Sequence, residues 1–177
     1  VVVENSTINT THVTSGGRPA SETTDGKVAT AEFTLTNSKL NAVGNITNGY
    51  EGIGIMNVDA NSNVNVDELT VTATGTLNSA GNITGAIVKA EEGTIQLTGG
   101  IYTTEPQEGW CAENYGAFPY DETSWIVRED YGTQTIALQA GWNWMSSYIE
   151  QFGAVDEEGL SVGLSKLVNQ LGDNGIQ

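Results

Sequence analysis

Short segments in which apolar and polar residues alternate run through the first two thirds of the chain. In residues 33–36 (Phe-Thr-Leu-Thr) and 69–72 (Leu-Thr-Val-Thr), threonines separate the apolar residues. This alternation gives a β-strand one apolar and one polar face. Further short strands are predicted at 6–10, 27–30, 53–56, 64–66, 86–88 and 95–97.

The predicted strands belong to an approximate internal repeat. Residues 32–47 and 68–84 align with one inserted residue, and both segments end in Gly-Asn-Ile-Thr. A third copy is predicted to open at Ile101, so the copies start at Phe33, Leu69 and Ile101, 36 and 32 residues apart. Stacked copies would bury the apolar face that no single copy can cover, so we expect these three residues in one buried column of parallel strands. The pattern predicts an all-β, right-handed parallel β-helix, with a two-sheet β-sandwich as the alternative.

The alternation also assigns side chains to faces of the strands. Thr34 and Thr70 are expected outside, since they follow apolar residues on strands with one buried face. The residues expected in the core are Leu35, Val71, Ile87, Val88, Ile95 and Leu97.

A different pattern follows the repeats. Apolar residues recur at helical spacing near the end of the chain, acidic residues 156–158 suit a helix N-terminus, and Gly172 suits its end. We therefore divide the chain into a β-helix at 1–131 and a strand-plus-helix module at 132–177. The apolar residues of the predicted helix are Leu160, Leu164, Leu167, Val168 and Leu171.

Two motifs carry a resemblance to a known family. Residues 99–127 read Gly-Gly-Ile-Tyr, an acidic loop with one proline, and a Trp-Ile-Val strand, and residues 141–144 read Gly-Trp-Asn-Trp. Over about residues 68–130 this resembles exported surface proteins of gut anaerobic bacteria, in which right-handed β-helix repeats precede a Gly-Trp-Asn-Trp module. Asn114 departs from the family's glycine. The resemblance implies export, surface attachment, no enzymatic activity, and a module whose remaining strands would follow Gln177.

The charge of the chain limits its partners. Asp and Glu number 22 against six Lys and Arg, giving a net charge of −16, and only Arg128 and Lys166 are basic after residue 90. Nucleic acid, anionic membranes and acidic glycans are poor partners for this surface. No apolar run is long enough to cross a membrane, so no direct insertion is expected. Cys111 is the single cysteine and is expected to be buried as a small apolar residue.

Oxygen-bearing side chains recur at every second residue from 59 to 67. This spacing opens a calcium loop, but Val64 replaces the required glycine and Thr70 the required glutamate. The favoured interpretation is a strand whose outward asparagines stack as a ladder on neighbouring strands. No cofactor is expected. The weak candidates for a metal site are Asp59, Asn61, Asn63 and Asp67.

Exposed aromatic residues are the candidates for ligand binding. Trp110, Tyr115 and Trp142 could stack on a sugar, whereas Trp142 also fits a strand buried on both sides. His12 is the single histidine and has no evident nucleophile partner, so no enzyme is expected. We expect a non-catalytic extracellular or cell-surface protein, adhesin-like or structural, with a surface glycan or host protein as partner. The alternative is a carbohydrate-binding module that uses exposed aromatics, assisted by calcium.

Overall fold

The computed structural model describes residues 1–22 and 26–130. They belong to one compact unit, Val1–Asp130. The described residues form 14 strands and a 3-10 turn at Ala20–Glu22, with no α-helix among them, so the all-β prediction is confirmed. The predicted strand-plus-helix module at 132–177 lies outside the described residues. Within the described ranges, no helix has the length and apolar character needed to cross a membrane.

Five strands form a parallel sheet in the order β1-β4-β7-β9-β11. Each strand pairs with the next in parallel and in continuous register. The strands are β1 (Val2–Glu4), β4 (Thr30–Thr36), β7 (Ile53–Val58), β9 (Gly75–Ser79) and β11 (Thr94–Leu97).

The other nine strands form a mixed sheet whose main path is β13-β14-β12-β10-β8-β5-β2. Its pairs are parallel except where β14 joins β12 and β13. The strands are β2 (Thr7–Thr10), β3 (Val13–Ser15), β5 (Lys39–Ala42), β6 (Asn45–Asn48), β8 (Asn63–Val71), β10 (Asn82–Lys89), β12 (Ile101–Tyr102), β13 (Tyr115–Pro119) and β14 (Trp125–Glu129).

From β1 to β12 the chain passes back and forth between the two sheets, and β2–β3 and β5–β6 are each consecutive strands of the mixed sheet. Strand β8 is long enough to pair with β5 through its first residues and with β6 through its last. Strand β10 follows β8 with a register shift between Thr84 and Ala86. Gly85 lies at this shift with φ of +129°, and a Cβ there would lie 1.9 Å from the Val66 carbonyl oxygen. Glycine is therefore required at this irregular position.

The core consists of apolar columns that cross successive strands. Alternate residues of each strand point inward, and parallel register stacks them on their counterparts. Three of these columns are apolar or aromatic at each position, one on the parallel sheet and two on the mixed sheet. Their members are Phe33, Met56, Leu77 and Ile95; Leu40, Val64, Ile83 and Tyr102; and Val13, Ile46, Leu69 and Ile87.

The predicted column of Phe33, Leu69 and Ile101 is wrong. Phe33 lies on the parallel sheet, whereas Leu69 and Ile101 lie on the mixed sheet, and Ile101 pairs with Ile126 in an antiparallel ladder. The loops between layers differ in length, so no constant period brings equivalent positions together. On the parallel sheet, registered partners are 23, 21 and 18 residues apart, at Leu35, Val58, Ser79 and Leu97.

Most of the predicted core is confirmed, with one exception. Leu35, Val71, Ile87, Ile95 and Leu97 are buried, whereas Val88 is 44% exposed and the prediction for it is wrong. Adjacent strand residues point to opposite faces, and Ile87 takes the inward position because it stacks on Leu69. Thr34 and Thr70 lie on the outward faces of their strands, as predicted. The strand predicted at 27–30 begins only at Thr30.

An antiparallel hairpin follows the last parallel strand of the mixed sheet. Strand β14 pairs with β12 through Tyr102 and Trp125, and β13 pairs with β14. Cys111 is predicted to be buried, but it is only half-buried, because it packs against the edge of the core and bridges to Leu97. The mixed sheet thus continues into an antiparallel pair rather than another parallel layer.

Candidate functional site

Asparagine ladders run along the outer face of the mixed sheet. Asn65 Nδ2 donates to Asn41 Oδ1 at 2.7 Å, and Asn41 Nδ2 donates to Asn9 Oδ1 at 2.7 Å. A second pair joins Asn82 Nδ2 to Asn63 Oδ1 at 3.0 Å. The prediction that the Asn-rich strand stacks as a ladder is confirmed, and the parallel register explains it because identical residues lie directly above one another.

The parallel sheet carries a comparable polar row on its outer face. Asn57 stands in register with Thr34 and Asn78, and Asn78 stands in register with Gln96. Asn78 Nδ2 donates to Asn57 Oδ1 at 2.9 Å. Asn57 Nδ2 in turn donates to Glu32 Oε1 at 2.7 Å. Hydrogen bonds within the protein therefore hold the side chains of Asn57 and Asn78 in fixed orientations.

This row borders an open groove of about 300 Å³, which we name the amide groove. It crosses four strands of the parallel sheet, perpendicular to their direction. Its far side is formed by the residues that follow the ends of these strands. The lining residues are Thr34, Leu35, Thr36, Asn57, Val58, Asp59, Asn78, Ser79, Ala80, Gln96 and Thr98.

Asp59 supplies the one formal charge in the lining of the amide groove. Both of its carboxylate oxygens accept the Asn37 backbone N–H at 3.1 Å, and Oδ1 also accepts the Ser62 hydroxyl. These bonds fix the carboxylate at the edge of the parallel sheet. A carboxylate held in this way can still accept a further hydrogen bond, because each oxygen has two lone pairs.

The candidate metal residues are spread over a turn and a strand. Asp59 is engaged by Asn37 and Ser62, and Asn63 Oδ1 accepts from Asn82. Asn61 is exposed in the turn, and Asp67 is exposed on β8. Within the part of the chain that the structure describes, no group of three His, Cys, Asp or Glu side chains is placed to hold a metal ion.

A second shallow groove of about 270 Å³ lies at the corner between the two sheets. Asn37 Nδ2 donates to Asn5 Oδ1 at 2.7 Å within it, and Lys39 contributes a cation. Asn61 and Asn63 also line this groove. Two of the metal candidates thus face a groove that contains a lysine, which disfavours a cation site there.

The candidate aromatic residues differ in accessibility. Trp110 is 5% exposed and belongs to the core, so its indole has no free face for stacking on a sugar. This burial argues against Trp110 as a ligand-binding residue. Tyr115 begins β13, is half-buried and packs against the core. Trp142 lies outside the described residues, and a role for it stays a prediction.

Of the residues that line the amide groove, the sequence marks only Asp59 as a site candidate, and as a metal ligand. Gln96, Asn78 and Ala80 follow no motif that would mark them as a site. A usable signal is the recurrence of Met56-Asn57 and Leu77-Asn78, an inward apolar residue followed by an outward asparagine, 21 residues apart. This offset of 21 residues is the distance along the chain between registered residues of β7 and β9. It depends on the lengths of the intervening loops, which the sequence pattern does not give.

Comparisons with known proteins add no relative from which a function could be transferred. No protein-family model, no curated protein and no solved structure matches the chain. The resemblance to surface proteins of gut anaerobes therefore stays a prediction.

Proposed function

We propose that the chain is a non-catalytic extracellular surface protein whose first 130 residues form a right-handed parallel β-helix. This solenoid acts as a rigid spacer or adhesin-like contact surface. The observation that carries the proposal is the set of side-chain columns that cross successive parallel strands without interruption. The apolar columns support a continuous core, and the asparagine ladders support ordered polar faces outside it.

Rigidity follows from the direction of the bonding. Asn41 both donates to Asn9 and accepts from Asn65, so its amide joins three consecutive layers. Bending the stack would break such side-chain bonds together with the backbone ladder beneath them. Each hydrogen bond contributes a net of about 0.5–1.5 kcal/mol, and the parallel layers make many of them. A spacer or contact surface requires this resistance to bending.

Histidine and cysteine often act as catalysts, and the chain has one of each, His12 and Cys111. Both have structural roles here. His12 Nδ1 accepts the Asn45 backbone N–H at 3.3 Å. Burial raises the pKa of the Cys111 thiol, which keeps it protonated and weakly nucleophilic at neutral pH. These roles favour a non-catalytic protein. Surface glycans and host proteins are the partners we propose, since the strongly negative charge disfavours nucleic acid and anionic membranes.

Two measurements test this function directly. Antibodies raised against the full chain should label intact cells of the source organism. Beads that carry the full chain should be retained on mucin-coated or fibronectin-coated surfaces under flow, more strongly than albumin-coated beads. Labelling only after permeabilisation would refute an extracellular role. Retention equal to that of albumin would refute the adhesin-like role and leave the spacer.

A carbohydrate-binding module is the second candidate. The burial of Trp110 weakens the version that depends on exposed aromatics. The amide groove favours a different version, in which amide and hydroxyl groups on the parallel sheet contact the glycan.

A further inference from the structure

We propose that the amide groove is a binding site for an uncharged oligosaccharide that lies across β4, β7, β9 and β11. This inference rests on the proposed function, because it names a ligand class for the contact surface of the solenoid. It differs from the expectation based on Trp110, Tyr115 and Trp142, because none of these residues lines the groove.

The shape of the groove comes from one short side chain in a row of longer ones. Asp59, Ala80 and Thr98 directly follow registered residues on β7, β9 and β11, and each donates its backbone N–H to the preceding layer. Ala80 leaves a depression between the Asp59 carboxylate and the Thr98 side chain. Asn78 and Gln96 border the same depression from the neighbouring row. Ligand sites commonly combine such an apolar floor with a few polar groups at fixed positions.

The groove has unused hydrogen-bonding capacity on both sides. Among the described residues, the Gln96 amide, the Thr36 and Thr98 hydroxyls and Asn78 Oδ1 make no hydrogen bond to protein. Asn78 Nδ2 is tied to Asn57, so the free oxygen of Asn78 has a fixed direction. The groove therefore offers both hydrogen-bond donors and acceptors to a ligand. Sugar hydroxyls, which both donate and accept, complement such an arrangement.

The negative charge in and around the amide groove favours an uncharged ligand. The eleven lining residues include Asp59 but no Lys or Arg, and Glu32 bonds to Asn57 at the border of the row. A uronate or sulfate would meet the Asp59 carboxylate without a compensating cation, and the net charge of −16 adds to this repulsion. A neutral hydroxyl, by contrast, donates to the carboxylate in a charge-assisted hydrogen bond, which is stronger than a neutral one.

The test is an NMR titration of the 15N-labelled full chain, because an open groove binds weakly. The probes are neutral hexasaccharides of glucose, mannose and xylose, with oligogalacturonate as the acidic counterpart. The side-chain amide signals of Gln96 and Asn78 should shift with at least one neutral probe and stay unchanged with oligogalacturonate. The variant Q96A/T98A removes two groups that make no protein hydrogen bond, and its affinity should fall about tenfold or more.

The matched control is T94A/T84A. Thr94 is exposed on β11, the strand that carries Gln96, and Thr84 is exposed on the mixed sheet, and neither lines the groove. The control should bind like the unmodified chain, and both variants should keep the same melting temperature. Three results would overturn the proposal: no neutral probe shifts the groove signals, the shifts lie only outside the groove, or Q96A/T98A binds with unchanged affinity.

The two proposals fail in different ways. Retention of the beads on mucin or fibronectin without any groove shift would refute the glycan site and leave the adhesin-like function. The opposite outcome is that the NMR signals of the groove shift with a neutral probe, but antibodies label only permeabilised cells. That outcome would support the binding site and refute the extracellular function.

Discussion

Replacing Leu77 by alanine tests whether the apolar columns hold the stack together. Leu77 is fully buried on β9, in register with Met56 on one neighbouring strand and Ile95 on the other. Both neighbours are themselves buried, and β9 is held between them by backbone ladders to β7 and β11. The layers cannot move together to fill the space, so we expect most of the cavity created by Leu77→Ala to remain.

The expected loss of stability has two parts. The substitution removes three carbon atoms, and at about 0.8 kcal/mol for each buried CH₂-sized group this amounts to roughly 2.4 kcal/mol. The remaining cavity adds roughly 1–2 kcal/mol, at about 24 cal/mol for each Å³ that is not refilled. We therefore expect the free energy of unfolding to fall by about 3.4–4.4 kcal/mol, in the upper part of the range for buried leucines.

Urea unfolding followed by far-UV circular dichroism measures this loss. The matched control is Thr76→Ala, because Thr76 precedes Leu77 on the same strand and points outward. We expect the control to change stability by less than about 0.5 kcal/mol. A loss below about 1 kcal/mol for Leu77→Ala would mean that Leu77 is not packed between two layers, and the column assignment would fail.

Three further predictions concern the ladder, the metal candidates and a buried phenol. Asn41→Ala leaves Asn9 Oδ1 and Asn65 Nδ2 without their partner, so thermal unfolding should show a loss of about 1–2 kcal/mol, whereas equal stability would refute a stabilising ladder. Calcium at millimolar concentration should leave the melting temperature unchanged; a site at 100 times its dissociation constant would add about 2.7 kcal/mol, so a rise of several degrees would contradict the ladder interpretation. Burial raises the pKa of Tyr102 above its ordinary value of 10.0, so the unfolded chain loses this proton first and stability should fall as pH rises above about 10. The urea midpoint should decrease between pH 9 and pH 11, and this decrease should be smaller in Tyr102→Phe than in the unmodified chain. An equal decrease in both would exclude Tyr102 as the cause.

The sequence predicts local strand structure better than it predicts register. Alternation alone places Leu35 and Ile95 in the core, because period 2 has one solution for a half-buried strand. It cannot decide between Ile87 and Val88, which are both apolar and adjacent. Gly85 shifts the register just before them, and the stacking of Ile87 on Leu69 then decides which one is inward.

Long-range pairing escapes sequence analysis because layer length varies. The shared Gly-Asn-Ile-Thr of residues 44–47 and 81–84 suggests equivalent positions. In the structure, Ile46 stacks on Leu69, whereas Ile83 stacks on Val64. The same four residues thus serve two different strand positions. The amide groove is equally hidden, because it depends on Asn57, Asn78 and Gln96 meeting across loops of unequal length.

The direction of side-chain contacts between β4 and β7 tests the central claim, the parallel stacking of layers, most directly. In the full chain, parallel register predicts nuclear Overhauser contacts of Phe33 with Met56 and of Leu35 with Val58. An antiparallel sandwich would instead join Phe33 to Val58 and Leu35 to Met56. The first pair of contacts would support the solenoid, and the second pair would contradict both the solenoid and the amide groove built on its parallel sheet.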